Sequence, residues 1–204
     1  MHSVPCGRSE RTRRWLVFLS LILIAPLSMA GWAIGLHATG NVHAVEVGAL
    51  YRSAQLDGPE LEAVVKRYAI RTVINLRGPN AGSPWYDEEI AASNRQGVSH
   101  VDIRMSARTE PTASTLNDLL AALRSAPKPI LVHCKDGADR TGLAAALYEL
   151  LIARQPSEVA GRQLSYRYGH FPWLGSATSA MDKTFDEMAA SNGSLSFVNG
   201  GRPK

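Results

Sequence analysis

The sequence contains few of the residues on which several classes of protein depend. Only two of its 204 residues are cysteines, which excludes a small fold held together by disulfides. Charged residues make up 20% of the chain and hydrophobic residues 45%, so the charge is too low and the apolar content too high for a disordered protein. This length and composition are typical of one globular domain with room for an appendage.

Positive charge is also scarce outside the N-terminus. The formal net charge is +4. Residues 1–36 hold four arginines and one glutamate, a net charge of +3 that leaves +1 for the remaining residues. A domain with so little net charge has no strong positive field, so we expect no nucleic-acid partner.

An uncharged stretch follows these arginines, from Trp15 to Leu36. As a helix it would be ~33 Å long, enough to cross the hydrocarbon core of a bilayer. The arginines before it favour a cytoplasmic N-terminus, which sends the rest of the chain outward. A cleaved signal peptide is the alternative, because Ser28-Met29-Ala30 has the form of a cleavage site. We therefore expect residues 1–36 to be a transmembrane anchor or a signal peptide, and the domain to face the periplasm from the inner membrane or to be exported.

Residues 37–43 are predicted to form a linker and residues 191–204, rich in glycine, serine and asparagine, a flexible tail. Between them, short apolar segments alternate with segments of helical pattern. The predicted strands cover residues 44–47, 50–53, 72–76, 99–105 and 129–133, and the predicted helices cover 59–68, 86–96, 114–125, 141–153, 156–166 and 177–190. The alternation predicts an α/β domain over residues 44–190, with a central, mostly parallel sheet flanked by helices.

The loop after the last predicted strand combines an anion-binding backbone with a nucleophile. It reads HCKDGADRTG from His133 and lies where parallel sheets bind ligands, beyond the carboxyl ends of the strands. The amides of a tight loop that enters a helix bind anions, and Gly137 permits the turn. Arg140 offers paired donors to two phosphate oxygens. The same positive field favours the thiolate of Cys134, so the loop predicts a thiolate directed at a bound phosphate.

This loop resembles the signature of cysteine-dependent protein tyrosine and dual-specificity phosphatases. In that signature a cysteine is followed, after five residues, by an arginine and a threonine; the matching residues are His133, Cys134, Gly137, Arg140, Thr141 and Gly142. The segments LYRSAQ (50–55), VINLR (73–77) and RYGHF (167–171) are similar to those of a bacterial dual-specificity-like group. The resemblance covers about residues 44–190 and implies a protein tyrosine phosphatase-like fold.

The resemblance implies a phosphomonoester hydrolase that needs no metal and no other cofactor. Cys134 would attack phosphorus to form a cysteinyl-phosphate, which water then hydrolyses. The phosphate-binding residues would be Lys135, Asp136, Gly137, Ala138, Asp139 and Arg140. Thr141 would steady the thiolate and assist the second step, and His133 would orient the loop.

The leaving group needs a proton, and the loop where the family usually carries the donor aspartate reads SARTEP (106–111), without one. Asp139 is the favoured donor, because the signature loop is also similar to that of myotubularin lipid phosphatases, in which a loop aspartate is the proposed acid. Glu110 is the second candidate, and the only argument for it is that its side chain could reach the leaving group. Asp102 lies upstream in a predicted strand, where pairing with Arg104 is the simpler role.

Three further positions bear on the substrate. Arg52 and Arg77 are candidates either for outer phosphate ligands or for structural ion-pair partners, and an ion pair with one of them is the alternative role of Asp139. Ala138 stands where the similar loop of phosphoinositide 3-phosphatases has a second lysine, which makes a polyphosphorylated inositol a poorer fit.

An exported or anchored domain meets phosphorylated lipids and lipid A more often than phosphotyrosine proteins, which favours a phosphorylated lipid or glycolipid over a phosphoprotein as substrate. Two alternatives stay open. A rhodanese-like sulfurtransferase also uses a loop cysteine but does not require Arg140, Thr141 and Gly142. A non-catalytic phosphate-binding module would bind vanadate without turnover.

Overall fold

A computed structural model describes residues 13–18, 24, 28, 31–32, 34–36, 38–171 and 178–200, and for 192–200 it describes the backbone. The chain divides into two compact units, Met1–Ala38 and Thr39–Lys204. The described residues of the first unit are helical. In the described part of the chain, no helix is both long enough and apolar enough to cross a membrane. Much of the predicted N-terminal membrane helix, including residues 19–23, 25–27 and 29–30, lies outside the described residues.

Five strands form one sheet in the second unit: β1 (His43–Glu46), β2 (Leu50–Ser53), β3 (Thr72–Asn75), β4 (Ser99–Asp102) and β5 (Ile130–His133). Their spatial order is β1-β2-β5-β3-β4. Strand β1 pairs antiparallel with β2, and the other three pairings are parallel. The predicted mostly parallel sheet is therefore confirmed, and the three central strands are buried along their whole length, as strands covered on both faces are.

Helices cover both faces of this sheet: α1 (Gly58–Tyr68), α2 (Pro84–Gln96), α3 (Ala113–Ser125), α4 (Asp139–Leu151), α5 (Ser157–Ala160) and α6 (Ser179–Gly200). Leucines of α3 and α4 and Met181 of α6 pack in one core cluster, and apolar residues of α1 and α2 in the other. Nine of the 13 residues of α4 are buried. This burial fixes the helix that follows the cysteine-containing loop.

Two predicted segments differ from the structure. The helix predicted over 156–166 ends after one turn and is followed by 3-10 turns at Gly161–Gln163 and Tyr166–Tyr168, because glycine at 161 disfavours a continued α-helix. The residues from 191 to 200, predicted as a flexible tail, continue α6 to Gly200. They contain no proline that would stop a helix.

The register of the sheet brings three loops together at one edge. His133, at the end of β5, lies opposite Ser53 at the end of β2 and Asn75 at the end of β3. The amide of Leu76 also donates to the carbonyl of His133 at 2.9 Å. The loops that leave these three parallel strands therefore start side by side, with the cysteine-containing loop in the middle.

Candidate active site

Arg52, on the central strand β2, holds the second half of the loop between β5 and α4. Its side chain is fully buried, with the guanidinium carbon 3.8 Å from the ring centroid of Tyr168. One terminal nitrogen donates to the carbonyls of Gly137 (2.7 Å) and Ala138 (3.4 Å), and the other donates to the backbone and side-chain oxygens of Gln163 (2.8 and 2.7 Å). Burial lowers the pKa of Arg52 to about 10, so it is charged at neutral pH. Both terminal nitrogens are engaged by protein oxygens, while the buried Nε has no hydrogen-bond partner among the described residues. The contacts of the terminal nitrogens give Arg52 the role of a structural cation.

Two other donors hold the first half of the loop. The backbone amide of Gln55 donates to the carbonyl of Lys135 at 3.0 Å. The side-chain amide of Asn41 donates to the carbonyl of Asp136 at 3.1 Å. Together with the contacts of Arg52, they engage four consecutive carbonyls, those of residues 135–138, from outside the loop.

These carbonyl contacts determine where the loop amides point. In a trans peptide the carbonyl and the following N–H point in opposite directions. Because the carbonyls of residues 135–138 are turned to partners outside, the N–H groups of residues 136–139 are turned inward. Among the described residues, no protein acceptor receives a hydrogen bond from these four N–H groups. Converging free amides at a helix N-terminus bind an anion such as phosphate.

Gly137 is the residue that lets the loop turn so tightly. Its φ is +71°, in the left-handed region that side chains disfavour. A Cβ at this position would lie 2.7 Å from backbone atoms of Ser53 and Ala54. The loop therefore packs directly on the end of β2, as the sequence predicts for a position that needs glycine.

Cys134 and Arg140 lie at the two ends of this loop. Cys134 is a free cysteine with 2% of its surface exposed. Arg140, in the first turn of α4, donates to the carbonyl of Met105 at 3.3 Å, and its buried Nε has no hydrogen-bond partner in the described part of the protein. The same holds for the buried hydroxyls of Thr141 and Ser53. Buried polar atoms without partners are rare, and a bound oxyanion is a group that can accept hydrogen bonds from such donors.

Asp139 hydrogen-bonds to a histidine rather than to an arginine. Its Oδ1 lies 2.7 Å from Nδ1 of His170. The alternative role of Asp139, an ion pair with Arg52 or Arg77, is therefore not found among the described residues. In the sequence His170 belongs to the family-like segment 167–171, and its local pattern does not indicate a contact with the loop.

The other two candidate proton donors have different partners. Glu110 pairs with Lys183 at 2.6 Å, and both side chains are exposed. Asp102 accepts hydrogen bonds from the side-chain amide of Asn75 (2.8 Å) and the hydroxyl of Tyr86 (2.6 Å); the expected pairing with Arg104 is wrong. The hydrogen bond to Asp102 raises the pKa of Tyr86 to about 12, which keeps this phenol protonated as a donor.

Glu89, on α2, is a site residue that the sequence analysis missed. It is 2% exposed, its Oε1 lies 2.7 Å from Nε2 of His100, and its Oε2 contacts the side-chain amide of Gln55. Oε2 also lies 3.2 Å from Nε2 of His133. Burial alone would raise the pKa of Glu89, but these contacts outweigh burial and hold the pKa well below its usual range. A buried carboxylate thus lies next to the His133 ring, which is consistent with the expected role of that histidine in orienting the loop.

Arg77 follows the end of β3, and its guanidinium carbon lies 3.4 Å from the ring centroid of Trp85. It donates to Oε1 of Gln55 at 3.0 Å. Burial, and next the charge of Arg140, lower the pKa of Arg77. Two guanidinium groups that repel each other favour a bound anion nearby, so Arg77 stays a candidate outer phosphate ligand.

A model of the tyrosine phosphatase family matches residues 33–162, more than half of the chain. The chain belongs to the tyrosine phosphatase family. It is 31% identical over 130 residues to the dual specificity protein phosphatase TpbA of Pseudomonas aeruginosa strain UCBPP-PA14, a match that covers 63% of this chain and 54% of that protein. TpbA from P. aeruginosa strain PAO1 is 26% identical over 137 residues, with 66% and 58% covered. The chain therefore spans about half the length of the curated relatives it matches.

Solved structures show the same fold. A crystal structure of P. aeruginosa TpbA has a TM-score of 0.56 at 23% identity, and the match covers 75% of this chain and 91% of that chain. The catalytic core of the PP-IP phosphatase SIW14 from S. cerevisiae, in complex with citrate, has a TM-score of 0.54 at 20% identity, with 75% and 93% covered. At these identities the likeness concerns the fold, and it confirms the expected tyrosine phosphatase-like architecture.

Gly137→Ala tests the anion-binding loop, with Gly97→Ala as the matched control. Both glycines have positive φ, +71° and +64°, but a Cβ at Gly97 has no neighbour within 4 Å. We expect Gly137→Ala to weaken vanadate binding, measured by calorimetry, by about tenfold or more, because the loop must move off β2. Gly97→Ala should bind vanadate as the wild type does. Equal affinity in all three proteins would show that the loop is not the anion site.

Proposed function

We propose that the protein is a phosphomonoester hydrolase that works through a cysteinyl-phosphate intermediate. The main structural support for this proposal is that the loop between Cys134 and Arg140 turns its backbone amides inward. Membership of the tyrosine phosphatase family supports it. The family match also argues against a rhodanese-like sulfurtransferase, which does not need the arginine.

In the proposed reaction, the Cys134 thiolate attacks phosphorus while the leaving oxygen departs on the opposite side. The amides of residues 136–139 and the guanidinium of Arg140 hold the other phosphoryl oxygens and stabilise their growing charge. Water then attacks the cysteinyl-phosphate and releases phosphate. The Thr141 hydroxyl, buried at the start of α4, serves the thiolate in this second step.

Asp139 is the proposed proton donor to the leaving group. Of the three candidates, it is the one that belongs to the phosphate-binding loop itself. Its hydrogen bond to His170 joins it to a group that can carry a proton. Glu110 forms an ion pair at the surface, and Asp102 accepts hydrogen bonds from two neutral donors. Each is therefore a poorer source of the proton for the leaving group.

The proposed substrate is a phosphorylated lipid or glycolipid. The support is the arginine-flanked uncharged segment of residues 15–36, which would bring the domain close to a membrane. A phosphoprotein is the second candidate, because a crystal structure of P. aeruginosa TpbA, 22% identical to this chain, contains phosphotyrosine. The proposed location is the periplasmic side of the inner membrane, or outside the cell after cleavage.

Cys134→Ser tests the covalent mechanism. We expect the full-length wild type to hydrolyse an aryl phosphate, and Cys134→Ser to lose on the order of 10³-fold or more in kcat, because the nucleophile is gone. Acid quenching during turnover should trap phosphate on the wild-type cysteine, detected by mass spectrometry. The control is Cys6→Ser, the other cysteine of the chain, which should keep full activity. Full activity in Cys134→Ser would end the proposal, and vanadate binding without turnover would favour a non-catalytic module.

The same wild-type enzyme, assayed on a panel of lipid A, phosphoinositides and phosphopeptides, ranks the substrate classes by kcat/KM. A preference for phosphotyrosine peptides would overturn the lipid proposal and leave the reaction chemistry intact.

Asp139→Asn tests the proton donor, with Asp136→Asn as the matched control in the same loop. The alkoxide that leaves an alkyl phosphate is a strong base and needs a proton, whereas a nitrophenolate does not. We expect Asp139→Asn to lower kcat for an alkyl phosphate by about 10²-fold or more and kcat for nitrophenyl phosphate much less. Asp136→Asn should affect both substrates alike. If Asp139→Asn leaves both rates unchanged, the donor is another residue.

Fractionation of cells that express the full chain tests the proposed location. We expect the protein in the inner-membrane fraction and open to protease in spheroplasts, or exported with a mature N-terminus close to Gly31. A chain without residues 1–36 is the control and should stay in the cytoplasm. Full-length protein in the cytoplasmic fraction would contradict export.

A further inference from the structure

His170 lies between two carboxylates from different helices. Its Nδ1 is 2.7 Å from Oδ1 of Asp139 on α4, and its Nε2 is 2.9 Å from Oδ2 of Asp182 on α6. The ring is fully buried, while Asp139 and Asp182 keep 21% and 31% of their side-chain surface exposed. The buried histidine thus connects the phosphate-binding loop to the C-terminal helix.

The two contacts favour the doubly protonated ring. A neutral imidazole carries one N–H and can donate to one carboxylate, whereas an imidazolium donates to both. Burial alone would lower the pKa of His170, but the hydrogen bonds to Asp139 and Asp182 outweigh burial and raise it. The charged groups that act most strongly on the ring are these two carboxylates, one from α4 and one from α6.

We propose that His170 is a positioning residue that supplies the proton which Asp139 passes to the leaving group, and that Asp182 keeps the ring loaded with that proton. The inference rests on the proposed phosphatase reaction and adds to it the source of the acid. Asp182 and His170 act through Asp139, so neither needs to touch the substrate.

The protons taken up and released balance over one turnover. The phosphate dianion and the thiolate bring negative charge close to Asp139, and a proton on Asp139 reduces the repulsion between these groups. The Nδ1 proton of the imidazolium then moves to Asp139, and His170 keeps its Nε2–H toward Asp182. Asp139 gives the proton to the leaving oxygen as the P–O bond breaks. The water that hydrolyses the cysteinyl-phosphate releases a proton, which returns through Asp139 to His170.

Asp182→Asn is the sharpest test, because it removes the charge and keeps an oxygen that can accept from Nε2. The proton-supplying form is the imidazolium, so wild-type kcat for an alkyl phosphate should fall as pH rises through the pKa of His170. Asp182→Asn lowers that pKa, and we expect the fall to move to lower pH by about one unit. The control is Asp186→Asn, one turn further along α6 and exposed, which should leave the profile unchanged.

His170→Asn provides a second test if Asp182→Asn does not fold. Its amide donates to Asp139 but does not titrate, so the alkaline fall should disappear and kcat for the alkyl phosphate should drop with little change in KM. A purely structural contact would alter the melting temperature and leave the pH profile in place. An active Asp182→Asn or His170→Asn enzyme with the wild-type profile overturns the inference while the phosphatase proposal stands. A wild type without phosphatase activity overturns both.

Discussion

The hydrogen bonds of Arg52 to the carbonyls of the cysteine-containing loop are the interaction on which the site depends. In a loop without such a partner, nothing fixes the carbonyl oxygens away from the side where an anion binds. Here a buried cation draws the carbonyls of Gly137 and Ala138 outward, and the trans peptide then turns the next amides inward. The cost of burying a charged guanidinium is offset by four hydrogen-bonded oxygens and by the ring of Tyr168. The cation acts on the ligand through the backbone, without contacting it.

Charges of both signs lie close together beside the loop. Glu89 is buried against His100 and His133, and its hydrogen-bonding contacts hold its pKa well below its usual range. Gln55 connects this carboxylate to Arg77: its side-chain amide contacts Glu89, its side-chain oxygen accepts from Arg77, and its backbone amide donates to the carbonyl of Lys135. The carboxylate of Glu89 is thus occupied by its own partners, while Arg77, which also lies within the field of Arg140, stays a candidate donor to an anion. Buried interactions of this kind are strong, since little water screens them.

The loop itself could be predicted because its functional residues lie next to one another in the sequence. The nucleophile, the turn glycine and the arginine lie within seven residues between a strand and a helix, and the alternation of apolar and helical segments predicted the sheet. The groups that hold the loop could not be predicted in the same way. Asn41 reaches the loop across 95 positions and Arg52 across 85, and no local pattern encodes such distances. Glu89 sits in a helix rich in polar residues, where hydrophobic periodicity does not separate a buried glutamate from an exposed one.

The anion-binding loop contains two aspartates, whose negative charge repels a bound phosphate. The structure reduces this repulsion in a different way for each. Asp136 is exposed, so water screens its repulsion of the phosphate. Asp139 is less exposed and sits in the first turn of the helix beside Arg140, where screening is weaker. The contacts with Asp139 and Asp182 raise the pKa of His170, and in its protonated form the ring offsets the charge of Asp139 while Asp182 offsets the charge of the ring. An isolated buried imidazolium would be costly, so the second carboxylate is what makes the first contact stable. The C-terminal helix therefore contributes to the loop's electrostatics through one buried ring, although the loop itself is built entirely between β5 and α4.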